Sequence, residues 1–156
     1  MKLTMKTLVL TLAVAFAGAT VSLAQAPHMG TWKLNEAKSR IPAGVMKNST
    51  VVYSMDGDKV KVTTDGIDGT GKPMHTEWTG KFDGKTYPLT GDPTSDSRSY
   101  TKVSDHTLTI TNKMGAKVTT TGRIVVAPNG KTRTITTIGT NAAGKKVSTV
   151  GYYDKQ

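Results

Sequence analysis

Four turn pairs constrain this chain more than any other feature: Asp56-Gly57, Asp83-Gly84, Met114-Gly115 and Asn129-Gly130. Glycine in these places supplies the positive φ of tight hairpin turns. Between the pairs run short segments in which apolar and polar residues alternate, the period of a half-buried strand. Strands are expected at 30–34, 49–55, 59–65, 74–82, 85–90, 98–103, 107–113, 117–126, 131–139 and 146–153. The segment 35–47 lacks alternation, contains Pro42 and Gly44, and has room only for a short helical turn. Residues 91–97 form the other irregular loop. The reading is an antiparallel all-β chain.

An internal repeat at an offset of 73 residues supports it. Asp56-Gly57 aligns with Asn129-Gly130, and Thr63-Thr64 with Thr136-Thr137. Gly66, Asp68, Gly71, Lys72 and Thr76 align with Gly139, Asn141, Gly144, Lys145 and Thr149. One strand–turn–strand–loop–strand design is written twice. The repeat also carries side-chain phase. Met74, Thr76, Trp78, Gly80 and Phe82 share one face and must point inward, because the opposite face holds His75, Glu77, Thr79 and Lys81. The same phase turns Val147, Thr149, Gly151 and Tyr153 inward, and matches Val60 and Val62 with Arg133 and Ile135. Val51, Tyr53 and Met55, then Leu108 and Ile110, then Ile124 and Val126, complete the expected inner layer. Strands with one apolar face and long edges call for closure, so the expected fold is an antiparallel up-and-down β-barrel of about 8–10 strands.

The N-terminus reads differently. Lys2 and Lys6 precede an apolar run from Leu8 to Ala17, the layout of a signal peptide and too short for a transmembrane span. Cleavage after Ala24 is expected, giving a signal peptide over 1–24 and one barrel domain over 25–156. Of the 24 leader residues, 16 are hydrophobic, so the 36% for the whole chain falls to roughly 30% beyond Gln25. About 23 of those 132 residues are threonine, which favours strands. An exported chain with no cysteine depends on packing alone in a periplasmic or extracellular setting. Without Lys2 and Lys6, 21 − 2 = 19 basic residues stand against 11 acidic, a net charge of +8. The charges are dispersed and form no run, which fits a solvated surface in loose contact with anionic envelope components and not a nucleic-acid site. Outward charges at Glu77, Lys59, Lys61 and Lys81 argue against lipid contact along the strands.

Gly30-Thr31-Trp32 opens the first strand and resembles the Gly-x-Trp opening of lipocalins, within the wider calycin group. The phrase Gly30-Thr31-Trp32-Lys33-Leu34-Asn35 and the closing Tyr153-Asp154-Lys155-Gln156 are similar to small exported bacterial lipocalin-like proteins that lack an assigned activity. Ser104-Asp105-His106 stands where lipocalins carry a Thr-Asp-Tyr-like signature. The resemblance implies a lipocalin-like barrel with a late arginine over the tryptophan, a place open to Arg123 or Arg133.

Candidate ligand-binding residues are Trp32, Tyr53, Trp78, Phe82 and Arg133. Arg133 lies in the inward phase, and a buried guanidinium must be paired or stacked. It either meets an acidic ligand or stacks on Trp32 and plugs one end. The aromatic residues either fill the core or line a hydrophobic cavity, with small inward residues (Thr76, Gly80, Gly122, Thr120, Thr149, Gly151) leaving room. Gly66 to Pro73 has glycines but no helix to hold a phosphate. His28, His75 and His106 have no metal-ligand spacing, Asp92 and Asp96 form no calcium loop, and no nucleophile motif is present. No metal, cofactor or catalytic residue is assigned. The expectation is a non-enzymatic barrel that binds a small hydrophobic or acidic amphiphilic ligand; the alternative is a solid-cored module that meets envelope components.

Overall fold

The computed structural model describes residues 26–141 and 143–156, so the leader expected over 1–24 lies outside the described residues. Ten strands follow in order: β1 (Gly30–Leu34), β2 (Lys47–Asp56), β3 (Lys59–Ile67), β4 (Pro73–Gly80), β5 (Tyr87–Thr90), β6 (Ser97–Ser104), β7 (Thr107–Met114), β8 (Lys117–Val126), β9 (Thr132–Thr140) and β10 (Lys146–Lys155). Each was expected, and each end falls within two residues of its expected place. The strands pair antiparallel with their chain neighbours, and β1 pairs with both β2 and β10 to close the barrel. This is an up-and-down barrel of lipocalin-like architecture. Among the described residues, no helix is long and apolar enough to cross a membrane.

Local chemistry explains the joints. Gly57, Gly84, Gly115 and Gly130 all take positive φ, from 57° to 80°, which a side chain would resist. The irregular segment after β1 holds one 3-10 turn, Glu36–Lys38, whose N-terminus is capped by the Asn35 side chain. A second 3-10 turn, Ala26–His28, precedes β1 and packs under the barrel. There His28 meets Phe82 edge-on and its carbonyl accepts a 2.9 Å hydrogen bond from the Trp32 indole.

The repeat is structural. The hairpins β3–β4 and β9–β10 share one register, since Val60↔Gly80 becomes Arg133↔Tyr153 on adding 73. Their connecting loops also match. Asp68 Oδ1 accepts from the backbone amides of Thr70 and Lys72, and Asn141 Oδ1 accepts from those of Ala143 and Lys145.

The interior has two zones. Toward the end closed by the Ala26–His28 turn, Trp32, Trp78, Phe82, Leu108, Val60 and Val126 form a dense core. The inward phase expected for β4 holds, with Met74, Thr76, Trp78 and Gly80 all buried; Phe82 is buried too, just past the end of the strand. Met55 departs from expectation. It keeps the phase of Tyr53 but sits at the end of β2 beside the hairpin turn, where it is 37% exposed. Gly80 also differs, because it leaves no space for a ligand. A Cβ there would lie 2.6 Å from atoms of Trp78 and Tyr87, so neighbouring rings already fill the gap.

Candidate functional site

The second zone, toward the opposite end, encloses a cavity of about 340 Å³. Its entrance is edged by the loops 35–46, 68–72, 91–96 and 141–145, which contribute Val45, Gly69, Pro93 and Asn141 to the lining. Val51, Ile110, Ile124 and Ile135 supply apolar wall, and Thr64, Thr120, Thr137 and Thr149 supply hydroxyls. Tyr53, Tyr100 and Tyr153 lie on the side of the aromatic core. Alternation places these residues together: β7 through β10 send every second side chain inward, and several of those positions (Thr120, Thr137, Gly139, Thr149) are small.

The polar centre of the cavity is Arg98, only 7% exposed. Its Nε donates to Asn112 Oδ1 at 2.8 Å, and its Nη1 donates to Tyr100 Oη at 3.3 Å. Strand register sets this contact, since Arg98 pairs with Asn112 across β6 and β7. The Trp78 indole donates to the Arg98 carbonyl at 3.0 Å and ties the strand to the core. Tyr53 Oη donates to Tyr100 Oη at 3.5 Å. Burial, reinforced by Tyr100, pushes the Tyr53 hydroxyl well above the usual tyrosine range. Burial pushes Tyr153 up to about 12. Both hydroxyls therefore remain protonated donors at neutral pH. Tyr153 Oη donates to the Asn48 carbonyl at 3.0 Å.

Arg133 occupies a different place. Its guanidinium carbon lies 4.6 Å from the Trp32 ring centre and 5.0 Å from each of Tyr53 and Tyr153. None of its three side-chain nitrogens has a hydrogen-bond partner among the described residues. This is an aromatic cage, in which ring faces take the place of acceptors around the cation. The late arginine over the tryptophan is thus Arg133; Arg123 is exposed on the outer face, beside Thr109 and Thr136. Of the five residues singled out from sequence, Tyr53 alone lines the cavity. Trp32, Trp78, Phe82 and Arg133 belong to the packed core next to it. Tyr53 joins the two zones, touching Arg133 on one side and Tyr100 on the other.

Sequence reasoning missed Arg98, Tyr100, Asn112 and Asn48. In β6 the alternation is weak, because Ser99, Thr101 and Val103 form a face as apolar as Arg98, Tyr100 and Lys102. The signal lay in β7. Leu108 and Ile110 fix its inward phase, which brings Asn112 inside and its partner Arg98 with it. Asn48 has no such signal, because a register shift between Asn48 and Thr50 breaks the period just where the chain enters β2.

Among the described residues, no group of three histidine, aspartate or glutamate side chains is placed to hold a metal ion. Asp92 Oδ1 is held within its own loop by the Thr94 amide and hydroxyl, each at 2.8 Å. Asp96 accepts from the Gly115 amide at 2.8 Å. What the fold and cavity define is a closed antiparallel barrel with an accessible interior. No protein-family model matches the chain, and no curated protein sequence is significantly similar to it.

Proposed function

We propose that this protein is an exported, non-enzymatic lipocalin-like barrel that holds a small apolar or amphipathic molecule in its interior. The cavity carries the reading. At about 340 Å³ it falls within the roughly 300–1,000 Å³ of small-molecule sites. Its mixed lining of aliphatic wall, threonine hydroxyls and a few polar groups suits a ligand with an apolar body. The solid-cored alternative is less well supported, because only the closed end of the barrel is filled. Export rests on the Lys2–Ala24 leader pattern. Outward ion pairs on β3 and β4, such as Lys61–Glu77 at 3.3 Å, favour an outer wall that faces water.

Native mass spectrometry of protein purified from its own host tests the reading. The expected spectrum contains a retained small molecule that is lost on denaturation and refolding. The reading fails if the host-purified protein has only its polypeptide mass and gains no thermal stability from a host small-molecule extract.

A further inference from the structure

We propose that the cavity recognises an acid, with the carboxylate of its occupant seated on Arg98, Tyr100 and Asn112. This rests on the binding function proposed above and names the chemistry of the ligand.

Hydrogen-bond accounting carries the proposal. A guanidinium has five N–H donors and no acceptor. Arg98 directs Nε at Asn112 and Nη1 at Tyr100, and neither partner is a carboxylate. Nη2 makes no hydrogen bond to the described residues, and Arg98 lines the cavity. Asn112 spends its oxygen on Arg98, and its Nδ2 makes no hydrogen bond to the described residues. Tyr100 Oη accepts from Arg98 and Tyr53, so its own hydrogen is free. What Arg98, Asn112 and Tyr100 leave over at this spot are donors; the unpartnered acceptors of the lining, Asn48 Oδ1 and Asp92 Oδ2, are sealed from the cavity surface. An acceptor-only group with one negative charge completes it.

Charge leads to the same group. Among the described residues no carboxylate pairs with Arg98. Arg133, behind Tyr53 and Tyr153, adds a second buried cation on the core side. The acidic residues in the lining are Asp68 and Asp92, both in entrance loops and both tied to their own loop amides. Asp92 keeps a buried Oδ2 without a partner among the described residues. A carboxylate near the entrance opposes a second negative charge on the ligand, so a monoanion fits better than a phosphate dianion.

Calorimetric titration of the full chain with octanoate, octanamide and octyl phosphate tests this. Octanoate and octanamide share a tail and nearly share a shape; they differ in charge. Octanoate is expected to bind at least about tenfold more tightly than octanamide, the scale of one charge-assisted hydrogen bond. Octyl phosphate is expected to bind more weakly than octanoate. Arg98→Met should erase the preference for the acid. Asn112→Asp is the second variant, because it gives Arg98 an internal counter-ion. It should retain the fold, read by its unfolding midpoint, while losing octanoate. Asp92→Asn keeps the loop cap and should leave octanoate binding unchanged or tighter.

Equal binding of acid and amide by the wild type would overturn the proposal and leave the barrel as a binder of neutral molecules. A loss of octanoate binding in Asp92→Asn would also overturn it. If neither octanoate nor octanamide binds, the acid proposal falls, and the native mass spectrum decides separately whether the cavity holds any ligand.

Discussion

Arg133 stacks on Trp32 with 4.6 Å between the guanidinium carbon and the ring centre, and the guanidinium makes no hydrogen bond to the described residues. A planar, weakly hydrated guanidinium tolerates such a setting because it spreads its charge over ring faces. The first and last strands meet at the same place. Trp32 pairs with Lys155 across β1 and β10, and the Lys155 ammonium lies 5.1 Å from the indole on its own account.

Arg133→Lys is therefore expected to be worse than Arg133→Met. Lysine buries a compact, strongly hydrated charge among rings that offer no acceptor, at a cost of about 2 kcal/mol or more. Methionine fills much of the volume without charge and should cost about 1 kcal/mol or less. Urea unfolding midpoints of the two variants check the order. The opposite order would mean that the positive charge itself holds the closed end together.

His28 makes stability depend on pH. Burial first, and then the nearby Arg133 charge, hold its pKa down to about 4. An unfolded histidine titrates near 6.5. Between these values the unfolded chain binds more protons, so stability rises with pH. The contribution is complete above about pH 6.5 and is lost as the pH falls to about 4, with an upper size of about 3 kcal/mol. His28→Leu should flatten the curve in this window. Chemical unfolding of both proteins from pH 7 to pH 4 measures the difference, and parallel curves would show that His28 does not titrate on unfolding.

The matched loops 68–72 and 141–145 are not interchangeable in both directions. Placing Asp-Gly-Thr-Gly-Lys at 141–145 keeps the capping oxygen and the positive-φ glycine at 144, so stability should change by less than about 0.5 kcal/mol. Placing Asn-Ala-Ala-Gly-Lys at 68–72 puts alanine at Gly69. Its Cβ would lie 2.7 Å from the Gly44 carbonyl oxygen, so the two entrance loops must part. That chimera should lose about 1–3 kcal/mol. Thermal unfolding of the pair decides, and equal melting temperatures would show that the Gly44–Gly69 approach is soft.

Most of the barrel was legible because turn glycines and alternation are local signals. The β4 phase needed only Trp78 against Glu77, and the repeat carried that phase to Tyr153. The site was less legible for three physical reasons. Asn48 enters the interior through a bulge, which alternation cannot register. Arg98 sits on a strand whose two faces are nearly equal in polarity, so only its partner Asn112 reveals its direction. Gly80 is a small residue that makes room for Trp78 and Tyr87, and sequence alone does not distinguish that from room for a ligand. Apolar rings are easily read as a binding surface, whereas here most of them form the foundation beneath it.

A closed ring of strands is as continuous as its shortest link. That link is β5, which holds β4 through two residue pairs, Glu77↔Thr90 and Trp78↔Leu89, and β6 through two more. One of its four residues is Pro88, which has no amide hydrogen to donate. Local opening takes least free energy where fewest pairs must part. The wall's breathing therefore concentrates at β5, and the strand across that seam is the one that carries Arg98. Water that entered by this seam would meet Arg98, one of the two buried arginines among the described residues, beside the cavity it already lines.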